Sequence, residues 1–286
     1  MTPDEFLDVK PPWHADNFRK PAYGTRYYYD PLPACEIASA TNESWPGFSS
    51  VKPMKPFRKS VPWVDFDGEI GKRAVPLDLA RSLRWLEETG HPSRVDDVRW
   101  RQQFLDSARI IGDRDLMRGN AIHAYAEAHM VDDPIPSWVF EVAEAQPYFE
   151  HVANFIDAHI RRPLHIEAVV ISRTKGYGGT GDCWAELVDG RTAYVDWKSR
   201  GADSGHACYE EEVAQGGAYC SADYLIVPSA DRLSAVRAPM PTVDVGIVVS
   251  IRPDGWEAHE YGIDTAAEAF DEMLAAYKAT SEAGKR

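Results

Sequence analysis

The amino-acid sequence predicts an α/β (α+β) protein: a central mixed sheet flanked by helices, preceded by an irregular N-terminal arm and a helical segment. Three observations carry this. Three β-branched segments, Leu164–Ser172, Thr180–Val188 and Thr192–Lys198, follow one another with turn residues between them, at Gly176–Gly179 and at Asp189-Gly190. Such runs read as consecutive hairpin-linked strands. Further strands, Tyr224–Val227, Val243–Ile251 and Trp256–Tyr261, are interleaved with helical segments at His206–Ala222 and Thr265–Ser281, the pattern of one sheet covered by helices. Finally, 286 residues at 44% hydrophobic content supply a full core without staples.

Taken in order, Met1–Pro76 is an arm rich in proline, glycine and aromatic residues. Pro11, Pro12, Pro21, Pro31, Pro33, Pro46, Pro53, Pro56 and Pro62 forbid long helices there, so short strands are expected. Lys52, Lys55, Arg58 and Lys59 form its densest basic cluster. Residues 77–286 make one domain, helical over 77–160 and sheet-rich over 161–286. Leu79, Leu83 and Leu86 recur at helical spacing. Val98, Phe104, Leu105, Ala108 and Ile111 predict a second helix. Ile122, Tyr125, Ala126 and His129 predict a third, stopped by Asp132-Asp133-Pro134. Trp138–His159 predicts a fourth, with Pro147 as a kink or break. The hairpin strands and the interleaved helices then complete the chain, with a turn at Pro253-Asp254-Gly255.

Composition narrows the function classes. No run approaches the roughly 20 apolar residues of a membrane helix, so no membrane partner is expected. Met1–Lys10 carries Asp4, Glu5 and Asp8 and reads as neither a signal nor a transit peptide. Cys35, Cys183, Cys208 and Cys220 have no CxxC spacing, which disfavours a zinc ribbon and suits a reducing cytoplasm. The net charge of −14 counts against a nucleic-acid partner, although a local cleft can oppose the overall sign.

The residues that carry chemistry converge on two strands. In Tyr194-Val195-Asp196-Trp197-Lys198, alternation puts Asp196 and Lys198 on one face and Val195 and Trp197 on the other. Taken alone, this pair reads first as a surface ion pair. The preceding strand opens with Gly181-Asp182 after a glycine-rich turn. If the strands pair, two carboxylates lie side by side, and they repel unless a cation sits between them or one is protonated. A hard divalent ion, Mg²⁺ or Mn²⁺, resolves this with oxygen ligands; a turn or capping role for Asp182 is the alternative. Upstream, Glu167 lies on the first strand, and His123 and Glu127 share a helix face. The glycine of Arg118-Gly119 leaves room for close helix approach to a sheet. Downstream, Gln215 and Tyr219 share a helical turn around Gly216-Gly217, whose cost of roughly 2 kcal/mol in helix propensity needs close packing or a close ligand to offset it.

Gly119-Asn-Ala-Ile-His123, Glu167, Gly181-Asp182, Asp196-Trp197-Lys198 and Gln215-xxx-Tyr219, in that order, resemble the PD-(D/E)XK nuclease superfamily in its RecB-type and phage-exonuclease branch. The resemblance spans Arg118–Tyr224, a little over a third of the chain. It implies a restriction-endonuclease-like core and a DNA phosphodiester hydrolase. His123, Asp182, Asp196 and the carbonyl of Trp197 would hold Mg²⁺ or Mn²⁺. Lys198 would orient or activate the attacking water, Gln215 and Tyr219 would shape the site and contact DNA, and Glu167 would be an outer acid or second-metal ligand. Aspartate at 196 stands where many relatives carry glutamate.

Some relatives hold an iron–sulfur cluster on cysteines grouped after the QxxxY element; here only Cys220 follows Tyr219, so no cluster is expected. No GxxxxGK[ST] is present, so no ATP-driven motor is expected in this chain. The expected activity is a divalent-metal-dependent DNA exonuclease in recombination, repair or phage replication, in bacterial cytoplasm or a phage-infected host. The alternatives are a structure- or sequence-selective endonuclease of the same fold and a non-catalytic DNA-binding or assembly protein. Linear DNA, single- or double-stranded, would be the partner, held by Lys52, Lys55, Arg58 and Lys59 and by Arg173 and Lys175. A recombination or single-strand-annealing protein and a second copy of the chain are further candidate partners.

Overall fold

Seven strands hydrogen-bond into one mixed sheet that organises the protein. The computed structural model describes residues 19–22, 25–29, 44–46, 60–64, 70–74, 98–201, 208–230 and 233–283. In chain order the strands and helices are β1 (Arg19–Ala22), β2 (Thr25–Tyr29), β3 (Ser44–Pro46), β4 (Ser60–Val64), β5 (Ile70–Ala74), α1 (Val98–Met130), α2 (Ser137–Glu141), α3 (Gln146–His159), β6 (Ile160–Ser172), β7 (Tyr177–Leu187), β8 (Thr192–Ser199), α4 (Glu210–Cys220), β9 (Tyr224–Pro228), β10 (Ala235–Pro239), β11 (Val245–Arg252), β12 (Gly255–Tyr261) and α5 (Ile263–Ala283). The sheet order is β10-β9-β6-β7-β8-β11-β12. β8 and β11 run parallel; every other neighbouring pair is antiparallel. The expected mixed sheet with flanking helices is therefore the observed fold.

Both faces of the sheet are covered, so its central strands are buried on both sides. One layer packs Ala121 and Ile122 of α1 and Phe155 of α3 against Val195, Trp197 and Val249. The opposite layer packs Ala214 and Ala218 of α4 and Phe270 of α5 against Tyr177, Trp184 and Tyr194. Strand β8 thus sends Val195 and Trp197 to one core and Tyr194 to the other, in keeping with period-two alternation. Among the described residues no helix is long and apolar enough to cross a membrane.

The arm contains short strands, as expected: β1, β2 and β3 form a small antiparallel sheet and β4 pairs with β5. Leu79, Leu83 and Leu86 and the basic cluster Lys52, Lys55, Arg58 and Lys59 lie outside the described residues.

Several expected boundaries move for physical reasons. The second and third helices are one continuous helix, α1. No proline interrupts it, and Gly112 and Gly119 each cost only about 1 kcal/mol, too little to break a helix anchored by tertiary packing. It stops on schedule, with Asp132 at φ +54°. The fourth helix is divided, but before Pro147: α2 and a 3₁₀ turn at Ala143–Ala145 precede α3. Pro147 stands in the first turn of α3, where its missing N–H breaks no bond. The turn expected at Gly176–Gly179 falls earlier, at residues 173–176: Gly178 and Gly179 already belong to β7, and Gly176 (φ +77°) closes the turn. Strand β10 was not expected. It is an edge strand ending in Pro239, with no apolar alternation to announce it.

The twin glycines of α4 answer to packing. A Cβ on Gly217 would lie 2.2 Å from the backbone of Ala266, and one on Gly216 would lie 1.7 Å from the Tyr261 hydroxyl. Gly119, by contrast, needs no special room: its Cβ would meet Ser199 Oγ at an ordinary 3.8 Å. Gly217→Ala should therefore destabilise the protein by about 1–3 kcal/mol in chemical denaturation, although alanine is the better helix former. An unchanged or raised denaturation midpoint would show that α4 and α5 have room to separate.

Candidate metal centre

Strands β7 and β8 form an antiparallel ladder whose last described pair on the site side is Cys183 with Val195. Asp182 and Asp196 stand one step beyond it. There the Asp182 carboxylate, through Oδ2, accepts the Trp197 backbone N–H at 2.9 Å. A side chain thus satisfies a main-chain donor at the end of the ladder. Asp182 is held in place with only 7% exposure.

His123 reaches this point from α1. Its Nε2 lies 3.2 Å from the Trp197 carbonyl oxygen. A carbonyl only accepts, so Nε2 carries the proton and donates. The other nitrogen, Nδ1, faces Glu167 Oε1 at 3.5 Å and Asp182 Oδ2 at 3.6 Å. Ligand atoms of His123, Glu167 and Asp182 all lie within 4.8 Å of one another, so this group could hold a metal ion. In the neutral tautomer fixed by Trp197, Nδ1 presents a lone pair alongside two carboxylate oxygens. One imidazole nitrogen and two carboxylates suit a divalent cation.

Without a cation a proton takes that place. Burial disfavours a charged imidazole, but Asp182 and Glu167 outweigh it and push the His123 pKa up to about 9. Burial also raises the Asp182 carboxyl, with His123 opposing and Glu167 reinforcing the shift.

Glu167 faces the site from β6 with an unusual backbone. Its neighbours Ile166 and Ala168 pair with Cys183 and Gly181, while Glu167 itself turns to φ +48°. A non-glycine residue in this region costs on the order of 1–3 kcal/mol and persists only where its surroundings enforce it. Its ordinary strand neighbours hold it in place on both sides.

A second polar group lies beside the first. Asp196 is fully buried, with Oδ2 2.6 Å from Lys198 Nζ. Gln215 of α4 closes a triangle: its Oε1 accepts from Lys198 Nζ at 3.3 Å and its Nε2 donates to Asp196 Oδ1 at 3.5 Å. The Tyr194 hydroxyl donates to the same Oδ1 at 3.4 Å. Burial pushes the Asp196 carboxyl up to about 6, against the pull of Lys198 and with the repulsion of Asp182. Burial alone would lower Lys198, but Asp196 and Asp182 raise it and keep it charged.

The structure therefore divides the expected site residues. His123, Glu167 and Asp182 come together as the group able to take a metal, so Glu167 joins it and Asp196 belongs to the Lys198–Gln215 triangle. The Trp197 carbonyl is in the site but is engaged by His123. Tyr219 is 6% exposed, and its ring fills the space a Cβ on Gly179 would need, 2.2 Å away. It packs in the core, edge-on to the ring of Tyr194. Arg173 and Lys175 sit in the β6–β7 turn, where Arg173 Nε donates to the Tyr224 hydroxyl at 3.2 Å and Lys175 Nζ pairs with Asp271 at 2.7 Å. Tyr194 was missed by the sequence reading, since an aromatic residue on a core strand gives no sign that its hydroxyl meets an acid.

No family model matches the chain, and no curated protein matches it. Among solved structures, one described as the crystal structure of SSO0001 aligns at 15% identity with a TM-score of 0.26. The alignment covers 39% of this chain and spans half the length of that one. So distant a likeness carries no argument, and the site must be read from its own geometry.

Two outcomes test this geometry. Glu167→Gly and Glu167→Ala both delete the carboxylate, and both should weaken Mn²⁺ binding. The glycine variant should be more stable by about 1 kcal/mol, because it alone relieves the left-handed backbone. Equal stability in urea titrations would exclude strain at this position. Separately, a cation must displace the His123 proton, which is held up to about pH 9. Mn²⁺ affinity measured by calorimetry should rise from pH 6.5 towards pH 9, with proton release visible in buffers of different ionisation enthalpy. A pH-independent affinity would remove His123 from the ligand set.

Proposed function

We propose that this protein is a divalent-metal-dependent DNA exonuclease of the PD-(D/E)XK type, using Mg²⁺ or Mn²⁺. One observation carries the reading: a metal-capable group of His123, Glu167 and Asp182 adjoins an ion pair on β8 between the buried Asp196 and the half-buried Lys198. Phosphodiester hydrolysis needs charge to offset the phosphate, a positioned nucleophile and a stabilised leaving oxygen. A divalent cation held by His123, Glu167 and Asp182 supplies the first and the third. Asp196 completes the negative face of the site and fixes Lys198.

The role of Lys198 follows from its bonds. Gln215 Oε1 accepts from its Nζ, and Asp196 holds it as an ion partner at 2.6 Å. An ammonium carries three protons, so donor capacity is left to direct an incoming water or a phosphate oxygen. An ammonium held by two partners costs less reorganisation when substrate arrives than a mobile lysine would. Recombination, repair or phage replication is the setting this activity fits. A strand-annealing protein or a second copy of the chain would be its companion.

The primary test is a time course on end-labelled linear duplex, linear single strand and closed circles, with Mg²⁺, Mn²⁺ or EDTA. Metal-dependent loss of linear DNA with circles spared is the expected result. Nicked or linearised circles would establish an endonuclease, and absence of cleavage on every substrate would overturn the enzymatic reading.

Mutations must respect burial. Lys198→Ala would leave the fully buried Asp196 without its ion partner, a cost of about 3–5 kcal/mol. Asp196→Asn and Lys198→Met are the shape-preserving choices. Each should lower the cleavage rate by about 100-fold or more while the circular dichroism spectrum is retained. Wild-type rates in either variant would separate this pair from the chemistry.

A further inference from the structure

Beside the metal group lies a cavity of about 450 Å³, bounded by the C-terminal part of α1, the loop after it, the start of β6 and the end of β9. Its volume falls within the roughly 300–1,000 Å³ of small-molecule sites. Glu167 belongs to both the cavity wall and the metal group, so the two are contiguous. Pro134, Pro163, Ile166 and Ile226 contribute apolar walls. The charged groups in the lining are all acids, Glu127, Asp133 and Glu167, joined by the imidazole of His165. Burial lowers the His165 pKa, so that ring is neutral near pH 7. No lysine or arginine lines the cavity among the described residues.

This combination selects its occupant. Away from the metal group, a phosphate in the cavity would meet Glu127 and Asp133 with no lysine or arginine in the lining to offset them, and would be repelled. A purely apolar group would make no use of the acids, of which Glu127 and Asp133 are exposed at the cavity wall. A flat heterocycle with N–H groups on its edge satisfies both: its faces lie on proline and isoleucine, and its amino or imino protons go to a carboxylate. We propose that the cavity receives one unpaired base of the DNA strand, with Glu127 accepting its amino group, while the neighbouring phosphate lies at the metal group. This deepens the nuclease reading and rests on it, because only a strand anchored at the metal brings a base to this wall. It assigns Glu127, which the hydrolytic site does not use, to substrate selection. The preferred bases are those that present an exocyclic amino group, namely cytosine, adenine and guanine, over thymine.

The test uses the full chain with Ca²⁺ in place of Mg²⁺ or Mn²⁺ and a fluorescent single-stranded 12-mer. A single abasic site is moved along the strand. Affinity should fall about tenfold at one position and little elsewhere. Thymine at that position should bind between the amino-bearing bases and the abasic site, because it keeps its flat faces and one imino N–H but lacks the exocyclic amino group. Val131 lines the cavity at 45% exposure, so Val131→Trp can narrow it without entering the core. That variant should lose about tenfold on the intact strand and nothing on the strand lacking the critical base. Glu127→Gln should keep binding but erase the preference over thymine. A flat abasic profile, or Val131→Trp binding both strands like wild type, would overturn the base pocket. If DNA is still cleaved with Mn²⁺ in that case, the nuclease reading stands without it. If wild-type protein neither binds nor cleaves any DNA, both fall.

Discussion

The backbone N–H of Trp197 needs an acceptor beyond the last described pair of β7 and β8, and the Asp182 carboxylate provides one. A buried main-chain donor left unpaired would cost a few kcal/mol, roughly 1–3. The same bond fixes a carboxylate at the end of the ladder, where it faces His123. His123 is in turn held by the carbonyl of that same Trp197. One residue of β8 therefore orients both an acid and an imidazole through its two main-chain groups, while its indole is buried in the core beside Phe155. Packing and site geometry are joined at that residue.

Charge sets the second constraint. Asp182 and Asp196 are buried acids, and Glu167 adds a third carboxylate beside Asp182. Such a cluster cannot stay fully ionised in a poorly solvated setting without cations. Lys198 meets one acid directly, and a proton on His123 meets the other two. The proton can give way to a metal because the imidazole nitrogen that carries it is the one facing both carboxylates. The fold thus builds a site whose negative charge is incompletely offset by its own side chains, next to a lysine that is already committed to position.

The sequence made much of this legible. Period-two alternation put Asp196 and Lys198 on one face of β8, and they form an ion pair there. The helical spacing of Gln215 and Tyr219 placed both on one side of α4, towards β7 and β8. The helix carrying His123 does reach the sheet. What it could not show was the grouping. The residue pattern singled out Glu167 only as an outer acid or second-metal ligand; its place beside His123 and Asp182 depends on the fold, and its left-handed backbone gives no sign in the sequence. The twin glycines read equally as ligand approach or as packing, and only the position of α5 decided for packing. The ion pair between the lysine of the β6–β7 turn and Asp271 of α5, 96 residues on, has no local pattern to announce it.

By itself, then, the sequence determined the element types, the covered mixed sheet and the residues from which a site is built. These follow from local periodicity and turn chemistry, which act over a few residues. The tertiary structure alone decided which carboxylates lie close enough to share a cation, which nitrogen of His123 faces them, and that an acid-lined, apolar cavity opens beside the site. Those properties depend on distances between residues 44 to 74 positions apart in the chain. Only packing across the sheet brings such residues within a few ångströms.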